Sequence, residues 1–312
     1  MRLLFWGTPD FATPALRAIV GEGYDVVAVV TQPDRAQGRS RTELVPPPVK
    51  VVALEEGIPV LQPEQPKGDP AFLAQLRDLQ PDLSVVVAYG HLLSQELLDL
   101  PRLGTWNIHA SLLPRWRGAA PIQAAILAGD VETGVSIMRM VRKMDAGPVI
   151  VQAPTPIAPD ETGGELTERL AELGALGIIE ALTLLALGGG VEEHPQDDAR
   201  VTLAPKLTRD AARLEFHRPA VDVARAIRAF DPRPGAWTTL RGDDTKLFGA
   251  LTVGETHGAP GEVLDIDEHG ALVACAHGGV RVGYLQVAGK RRLAALDLSQ
   301  GRGLAVGDVL GG

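Results

Sequence analysis

Asn107, His109 and, from a separate loop, Asp145 are side chains that could together do acyl chemistry, although by themselves a histidine after a strand more often has a structural role and an aspartate before Ala146-Gly147 is more often a turn residue. An imidazole with an ordinary pKa of about 6.5 exchanges protons at neutral pH. A carboxylate beside it would fix its tautomer. A carboxamide can donate a hydrogen bond to an oxygen on which negative charge develops. Together they suit attack of an amine on an acyl carbon through a tetrahedral intermediate, with no covalent enzyme intermediate. Ser111 stands close by, but Ser111-Leu112-Leu113-Pro114 is not the G-x-S-x-G elbow of an activated serine. Arg115 and Arg117 flank Trp116 and add two guanidinium groups around one indole.

These residues need elements to hold them. Residues 103–108 read as a short buried strand, and Asn107 and His109, two apart, then share a face. Pro121 suits the first position of a helix whose apolar face carries Ile122, Ala125, Ile126 and Leu127. The polar stretch is therefore expected at the carboxyl end of a sheet strand, where open α/β sheets bind ligands. Residues 3–6, 24–31 and 83–88 are continuous apolar runs, as in strands buried on both faces, with helical patterns at 11–20, 49–56 and 71–79 between them. Residues 133–141 and 148–152 read as further strands, and 162–187 as a long helix stopped by Gly188-Gly189-Gly190. His91, after a strand end, reads as structural. Gly7 follows the first strand, but Thr8 and Pro9 come next in place of G-x-G-x-x-G, so a dinucleotide site is not indicated. Residues 32–48 carry Arg35, Arg39, Arg41 and three consecutive prolines, and read as one long functional loop.

The texture changes after a polar, aperiodic stretch at 190–205, which reads as a linker. Beyond a helix at 220–230 come five short strands at 236–240, 245–253, 261–265, 271–276 and 280–286, separated by glycine-rich turns. This suggests a small OB-like β-barrel. The fold class is thus α/β, a Rossmann-like domain over 1–189 followed by a barrel domain over 206–312. With 312 residues, 45% of them apolar, the chain can bury two cores. A single cysteine, Cys275, excludes an internal disulfide and a cysteine zinc site and fits a reducing cytoplasm. The first apolar run is too short for a signal peptide, and none reaches membrane-spanning length. A net charge of −9 argues against nonspecific nucleic-acid binding. The charge is uneven, however. From Lys206 onward 14 basic residues face 13 acidic ones, a balance of +1, against −10 for residues 1–205. That leaves room for a local basic surface, and Lys290-Arg291-Arg292 is its densest run.

Several blocks, in order, resemble the methionyl-tRNA formyltransferases. Asn107-Ile108-His109-Ala110-Ser111-Leu112-Leu113-Pro114 is shared by folate-dependent formyltransferases in general. Arg115-Trp116-Arg117-Gly118-Ala119-Ala120-Pro121-Ile122-Gln123 is particular to the methionyl-tRNA branch. So are Gly7-Thr8-Pro9-Asp10-Phe11-Ala12, Thr31-Gln32-Pro33-Asp34-Arg35, Val86-Val87-Ala88-Tyr89-Gly90 and Ile227-Arg228-Ala229-Phe230-Asp231-Pro232.

The resemblance implies a formyltransferase using 10-formyltetrahydrofolate and no metal. Asn107, His109 and Asp145 would be its catalytic trio, and Ser111, Leu112, Leu113 and Pro114 its folate-binding segment. The partner would be methionyl-initiator tRNA, with the C-terminal domain helping to hold it. Arg39 would reach the acceptor stem, and Arg35, Arg41, Lys290, Arg291 and Arg292 are further candidates for phosphate. A cytoplasmic monomer that binds neither membrane nor DNA is expected. The loop departs from many relatives by reading Ser40-Arg41-Thr42-Glu43 where they carry more lysines, and Met144 precedes Asp145 where leucine is common. Trp6 is bulky for its position. The alternatives are a formyltransferase acting on an amino-sugar nucleotide and, in a different class, a non-catalytic RNA-binding protein.

Overall fold

A computed structural model describes residues 1–37, 43–188 and 190–311. The chain forms two compact units that are not continuous stretches of sequence. The first comprises residues 1–118, 133–155 and 167–203, and the second 119–132, 156–166 and 204–312.

The first unit is built on seven strands: β1 (Arg2–Gly7), β2 (Asp25–Val30), β3 (Val60–Leu61), β4 (Leu83–Val87), β5 (Thr105–His109), β6 (Glu132–Arg139) and β7 (Val149–Pro156). Their spatial order is β7-β6-β5-β4-β1-β2-β3. The five strands from β3 to β5 run parallel, and β6 lies antiparallel to β5. Parallel strands need crossovers, and α1 (Thr13–Gly21), α2 (Pro48–Glu55) and α3 (Pro70–Asp78) supply three of them. The chain leaves β1 toward β2 and returns to its other side at β4, so the topological switch point lies between β1 and β4. There Thr8 Oγ1 donates to Tyr89 O at 2.9 Å, and Gln32 Nε2 donates to the same carbonyl at 3.2 Å.

Trp6 fills the core beside that point. It is 1% exposed, and its ring meets Tyr89 and Phe72 edge-on at centroid distances of 5.2 and 6.1 Å. Its indole N–H, which would be costly to bury unpaired, donates to Ser84 Oγ at 3.2 Å. The bulk at position 6 is thus matched by an aromatic cluster that closes over Leu4, Ala28, Val30 and Val86.

Two expectations change. Residues 32–48 are not structureless, because Arg35–Gln37 pairs antiparallel with Glu43–Val45. Three-residue strands are too short to show alternation. Residues 190–205 are also more than a passive tether. His194 and Val149 exchange backbone hydrogen bonds of 2.8 and 2.9 Å, and Arg139 pairs with Glu193 at 2.5 Å. The segment is therefore docked along the edge of the first unit.

In the second unit, α4 (Pro121–Ala128) packs on α6 (Ala220–Phe230), which lies against the barrel. Its strands are β8 (Trp237–Leu240), β9 (Asp243–Val253), β10 (Val263–Asp267), β11 (Gly270–Ala274) and β12 (Gly279–Val287), in the order β8-β9-β12-β11-β10. A short β13 (Leu293–Ala294) pairs with β12 and leads into α7 (Ala295–Gln300). The C-terminal segment spans both free edges, since Leu310 bridges Leu240 of β8 and Val309 bridges Glu262 beside β10. Closure removes the exposed edges that an open sheet would present. It needs close approach: Gly261 has φ +90°, and a Cβ there would lie 2.2 Å from Leu310 O. The buried Cys275 thiol is pushed up to about 11 by desolvation. The long helix of the chain is α5 (Gly163–Ala186). Among the described residues no helix is long and apolar enough to cross a membrane.

Candidate active site

The trio expected from sequence comes together at the carboxyl end of β5. Asn107 and His109 alternate with buried Ile108, so both sit on one face, opposite Met138 and Ser136 of β6. Asp145 arrives from the loop between β6 and β7. Its Oδ2 lies 3.8 Å from His109 Nδ1, with the imidazole 6% and the carboxylate 16% exposed. The other ring nitrogen, Nε2, is 2.9 Å from Trp116 O. A carbonyl only accepts, so Nε2 carries a hydrogen, and Nδ1 is the nitrogen free to gain or lose a proton. It faces the carboxylate at ion-pair distance. The Asn107 carboxamide has no side-chain partner among the described residues and is only partly buried, so it is available to a substrate.

Asp145 is held in an uncommon conformation. Its φ is +49°, which for a residue with a Cβ costs on the order of 1–3 kcal/mol and persists where the surroundings hold it. Three contacts impose it. Gly118 N donates to Oδ2 at 2.9 Å. Gln196 Nε2 donates to Asp145 O at 2.8 Å and to Gly147 O at 2.7 Å. Two residues on, Gly147 packs so closely that a Cβ would lie 1.8 Å from Arg139 O. Gln196 is fixed in turn by Arg117, whose Nε donates to its Oε1 at 2.9 Å, while Nη1 reaches Asp198 at 3.0 Å. Hydrogen bonds from Arg117 and then Lys143 hold the Asp198 carboxyl below the usual carboxylate range.

Residues 111–114 form a tight turn whose polar groups are already paired. Ser111 Oγ donates to Arg115 O at 2.6 Å. Ser136 Oγ accepts from Leu113 N at 3.0 Å and donates to Ser111 O at 2.7 Å, and Gln152 Nε2 donates to Leu113 O at 3.0 Å. Ser111 and Leu113 are buried, so Leu112 and Pro114 are the members of this segment that present surface. The Ser111 hydroxyl is thus committed to a backbone carbonyl.

The expected basic candidates separate. Arg39 and Arg41 lie outside the described residues. Arg35 is exposed at the base of the short hairpin, with Nη2 donating to Gln32 Oε1 at 3.1 Å. Beside it Lys50 and Gln62 both reach Asp34 at 2.8 Å, and the Gln62 bond, then Lys50, lowers the pKa of that carboxyl. Lys290 and Arg291 are exposed, with no side-chain partner among the described residues. Arg292 is engaged within the protein: it pairs with Asp231 at 2.7 Å and lies over the Phe248 ring at 3.3 Å. His91 is exposed with its ring 5.7 Å from that of Tyr89, and takes no part in the site.

The sequence pointed to the trio but not to Gln196, Ser136 or Gln152. Each acts over a long separation, and a lone glutamine or serine in a polar or strand segment carries no local signal.

A Formyl transferase family model matches residues 1–182, and a Formyl transferase, C-terminal domain, model matches residues 206–303. A methionyl-tRNA formyltransferase of Ectopseudomonas mendocina (strain ymp) is 50% identical over 313 aligned residues, spanning 100% of this chain and 98% of that one. A protein of the same name from Pseudomonas paraeruginosa is 48% identical, with both chains fully covered. Among solved structures, HypX from Aquifex aeolicus in complex with tetrahydrofolic acid superposes with a TM-score of 0.67 at 20% identity, covering 96% of this chain and 46% of that one. The sugar 3N-formyl transferase WlaRD, solved with dTDP and 5-N-formyl-THF, gives 0.67 at 16% identity over 93% of this chain and 99% of that one. At such identities these two speak for the fold alone. With both family models matched in order and about half of all positions shared with full-length relatives, the chain belongs to the formyl transferase family and, within it, to the methionyl-tRNA formyltransferases.

Proposed function

We infer that this protein transfers a formyl group from 10-formyltetrahydrofolate to the α-amino group of methionyl-initiator tRNA, giving the N-formylmethionyl-tRNA used to start translation. The observation that carries the chemistry is the imidazole held between Trp116 O and Asp145 Oδ2 beside a free carboxamide at Asn107. The identity over the full length carries the choice of amine.

Each side chain has a distinct task. An α-amine has a pKa of about 7.7–8.0, so a useful fraction is neutral at pH 7 and can attack without a strong base. As the N–C bond forms, the formyl oxygen gains charge, and the Asn107 N–H group donates to it. Protonated at Nδ1, His109 adds positive charge beside that oxygen. Asp145 orients the ring and stabilises the imidazolium while the amine loses its proton and the tetrahydrofolate nitrogen departs with one. The serine hydroxyl takes no part, because direct transfer needs no acyl-enzyme.

Folate would lie across Leu112 and Pro114, the apolar surface of residues 111–114, while Ser111 and Leu113 shape that turn from within. Arg35, Arg39 and Arg41 from the segment at 32–48, and Lys290 and Arg291 from the segment at 290–292, would meet tRNA phosphates, with Arg292 shaping the second segment. Residues 1–189 would be the folate-dependent domain, 190–205 the connection and 206–312 the tRNA-contacting domain. The protein would act in the cytoplasm as a monomer, without membrane or DNA.

The test is formyl transfer from 10-formyltetrahydrofolate to methionyl-tRNA, initiator against elongator, with an amino-sugar nucleotide as a third acceptor. Preference for the initiator is expected. Transfer to the sugar alone, or to no acceptor, would overturn the inference.

A further inference from the structure

We propose that Gln196 is a positioning residue for formyl transfer: its side-chain amide holds the backbone of residues 145–147 so that the Asp145 carboxylate meets His109. The proposal rests on the catalytic role given to Asp145 above.

The geometry is specific. The amide makes three hydrogen bonds. Its oxygen accepts from Arg117 Nε at 2.9 Å, and its nitrogen donates to the carbonyls of Asp145 and Gly147 at 2.8 and 2.7 Å. A guanidinium has only donors, so it can face only the oxygen end of the amide. Arg117 thereby decides which end of Gln196 points at the loop, and both N–H groups are delivered to carbonyls on either side of Ala146. A glutamate would satisfy Arg117 equally well and offer the loop nothing but acceptors.

The two bonds reach across 51 and 49 residues of chain, so they are tertiary clamps rather than a turn motif. They act on a residue that resists its own conformation, since Asp145 has φ +49°. At Gly147 the backbone also lies close against Arg139 O, where a Cβ would not fit. Removing the amide leaves Asp145, among the described residues, with the Gly118 N bond to Oδ2 and the ion-pair contact with His109, both at the side chain and neither on its backbone. The backbone is then free to relax, and the carboxylate leaves the 3.8 Å separation from His109 Nδ1. Arg117 itself is 4% exposed, and its Nη1 donates to Asp198 at 3.0 Å, a second bond that fixes the guanidinium facing Gln196.

A double-mutant cycle on the full-length protein tests this. Gln196→Ala is expected to lower kcat roughly 10–100-fold, the range for a misplaced catalytic group, with KM for folate and tRNA within about twofold. In the Asp145→Ala background the same substitution is expected to cost nothing further, because the group it positions is already gone. Gln196→Glu, which keeps the size and the Arg117 bond, should behave like Gln196→Ala. It also serves as the readout if the alanine variant fails to fold. Three results would overturn the proposal: kcat within twofold of the parent in Gln196→Ala, full activity in Gln196→Glu, or losses that multiply in the double variant. If Asp145→Ala alone keeps parental turnover, the catalytic role falls and this proposal with it. If Asp145→Ala is crippled while Gln196→Ala is not, only the positioning role falls.

Discussion

The loop after β5 and the basic run at 290–292 both carry cations, yet they treat them in opposite ways. Around Asp145 the polar groups are interlocked, with Arg117 and His109 buried and Gln196 and Asp145 partly so: Arg117 holds Gln196, Gln196 holds Asp145, and Asp145 faces His109. At 290–292 two of three cations stand in solvent, and only Arg292 is committed to partners, Asp231 and Phe248. In a water-poor site each dipole counts for more and its placement matters, so the first region suits chemistry. An exposed ammonium or guanidinium acts by its charge alone and is screened by salt, which suits phosphate binding.

Substitutions put this contrast at risk. The largest effect is expected from His109→Ala and Asp145→Ala. Each should lose about 10²-fold or more in kcat with the thermal midpoint preserved. Turnover near the parental value in either purified variant would remove it from the trio. Next comes Lys290→Ala with Arg291→Ala, where kcat should hold and the KM for tRNA should rise. The slope of log affinity against log salt should become shallower by about 1 for each phosphate that is no longer neutralised. A slope identical to the parent would take this run off the tRNA surface.

Arg292→Ala should read out differently from its two neighbours. It gives up a ring contact and a surface ion pair, about 0.5–1 kcal/mol of stability, and leaves the salt slope alone. A changed slope with unchanged melting would place Arg292 with the exposed cations instead.

The smallest effect concerns Tyr89, another buried polar group near the switch point. Its hydroxyl has no partner among the described residues, and burial pushes its pKa from 10.0 up to about 12. The unfolded chain ionises first, so the stability held by the neutral phenol is full below pH 10 and is lost as pH rises toward about 12. Tyr89→Phe should match the parent at neutral pH and lose less stability across that alkaline window. Parallel melting curves for the two proteins through the window would refute it.

Much of this molecule is legible residue by residue. The parallel strands announce themselves because burial on both faces demands unbroken apolar runs such as Val26-Val27-Ala28-Val29-Val30. The helix at 220–230 has the bounds its sequence suggests, with Pro219 before it and Asp231-Pro232 after it. The trio is visible because acyl chemistry needs particular functional groups, and Asn107 and His109 at a spacing of two must share a strand face.

Other features have no local signature. Helix α4 joins the second unit although it follows the active-site loop directly. The barrel is closed by Val309 and Leu310, which the apolar pattern of the strands does not reveal. Trp6 is oversized only until Phe72, Ser84 and Tyr89 are placed around it. Gln196 sits in an aperiodic stretch that reads as a connector. Sequence by itself determined the family and most of the strands and helices, and pointed to the trio, because these depend on residue type and near neighbours. Tertiary structure alone decided what holds the chemistry in place. The conformation of Asp145 is imposed by Gly118, Arg139 and Gln196, and contacts from such distant parts of the chain leave no trace in the spacing around the residue they hold.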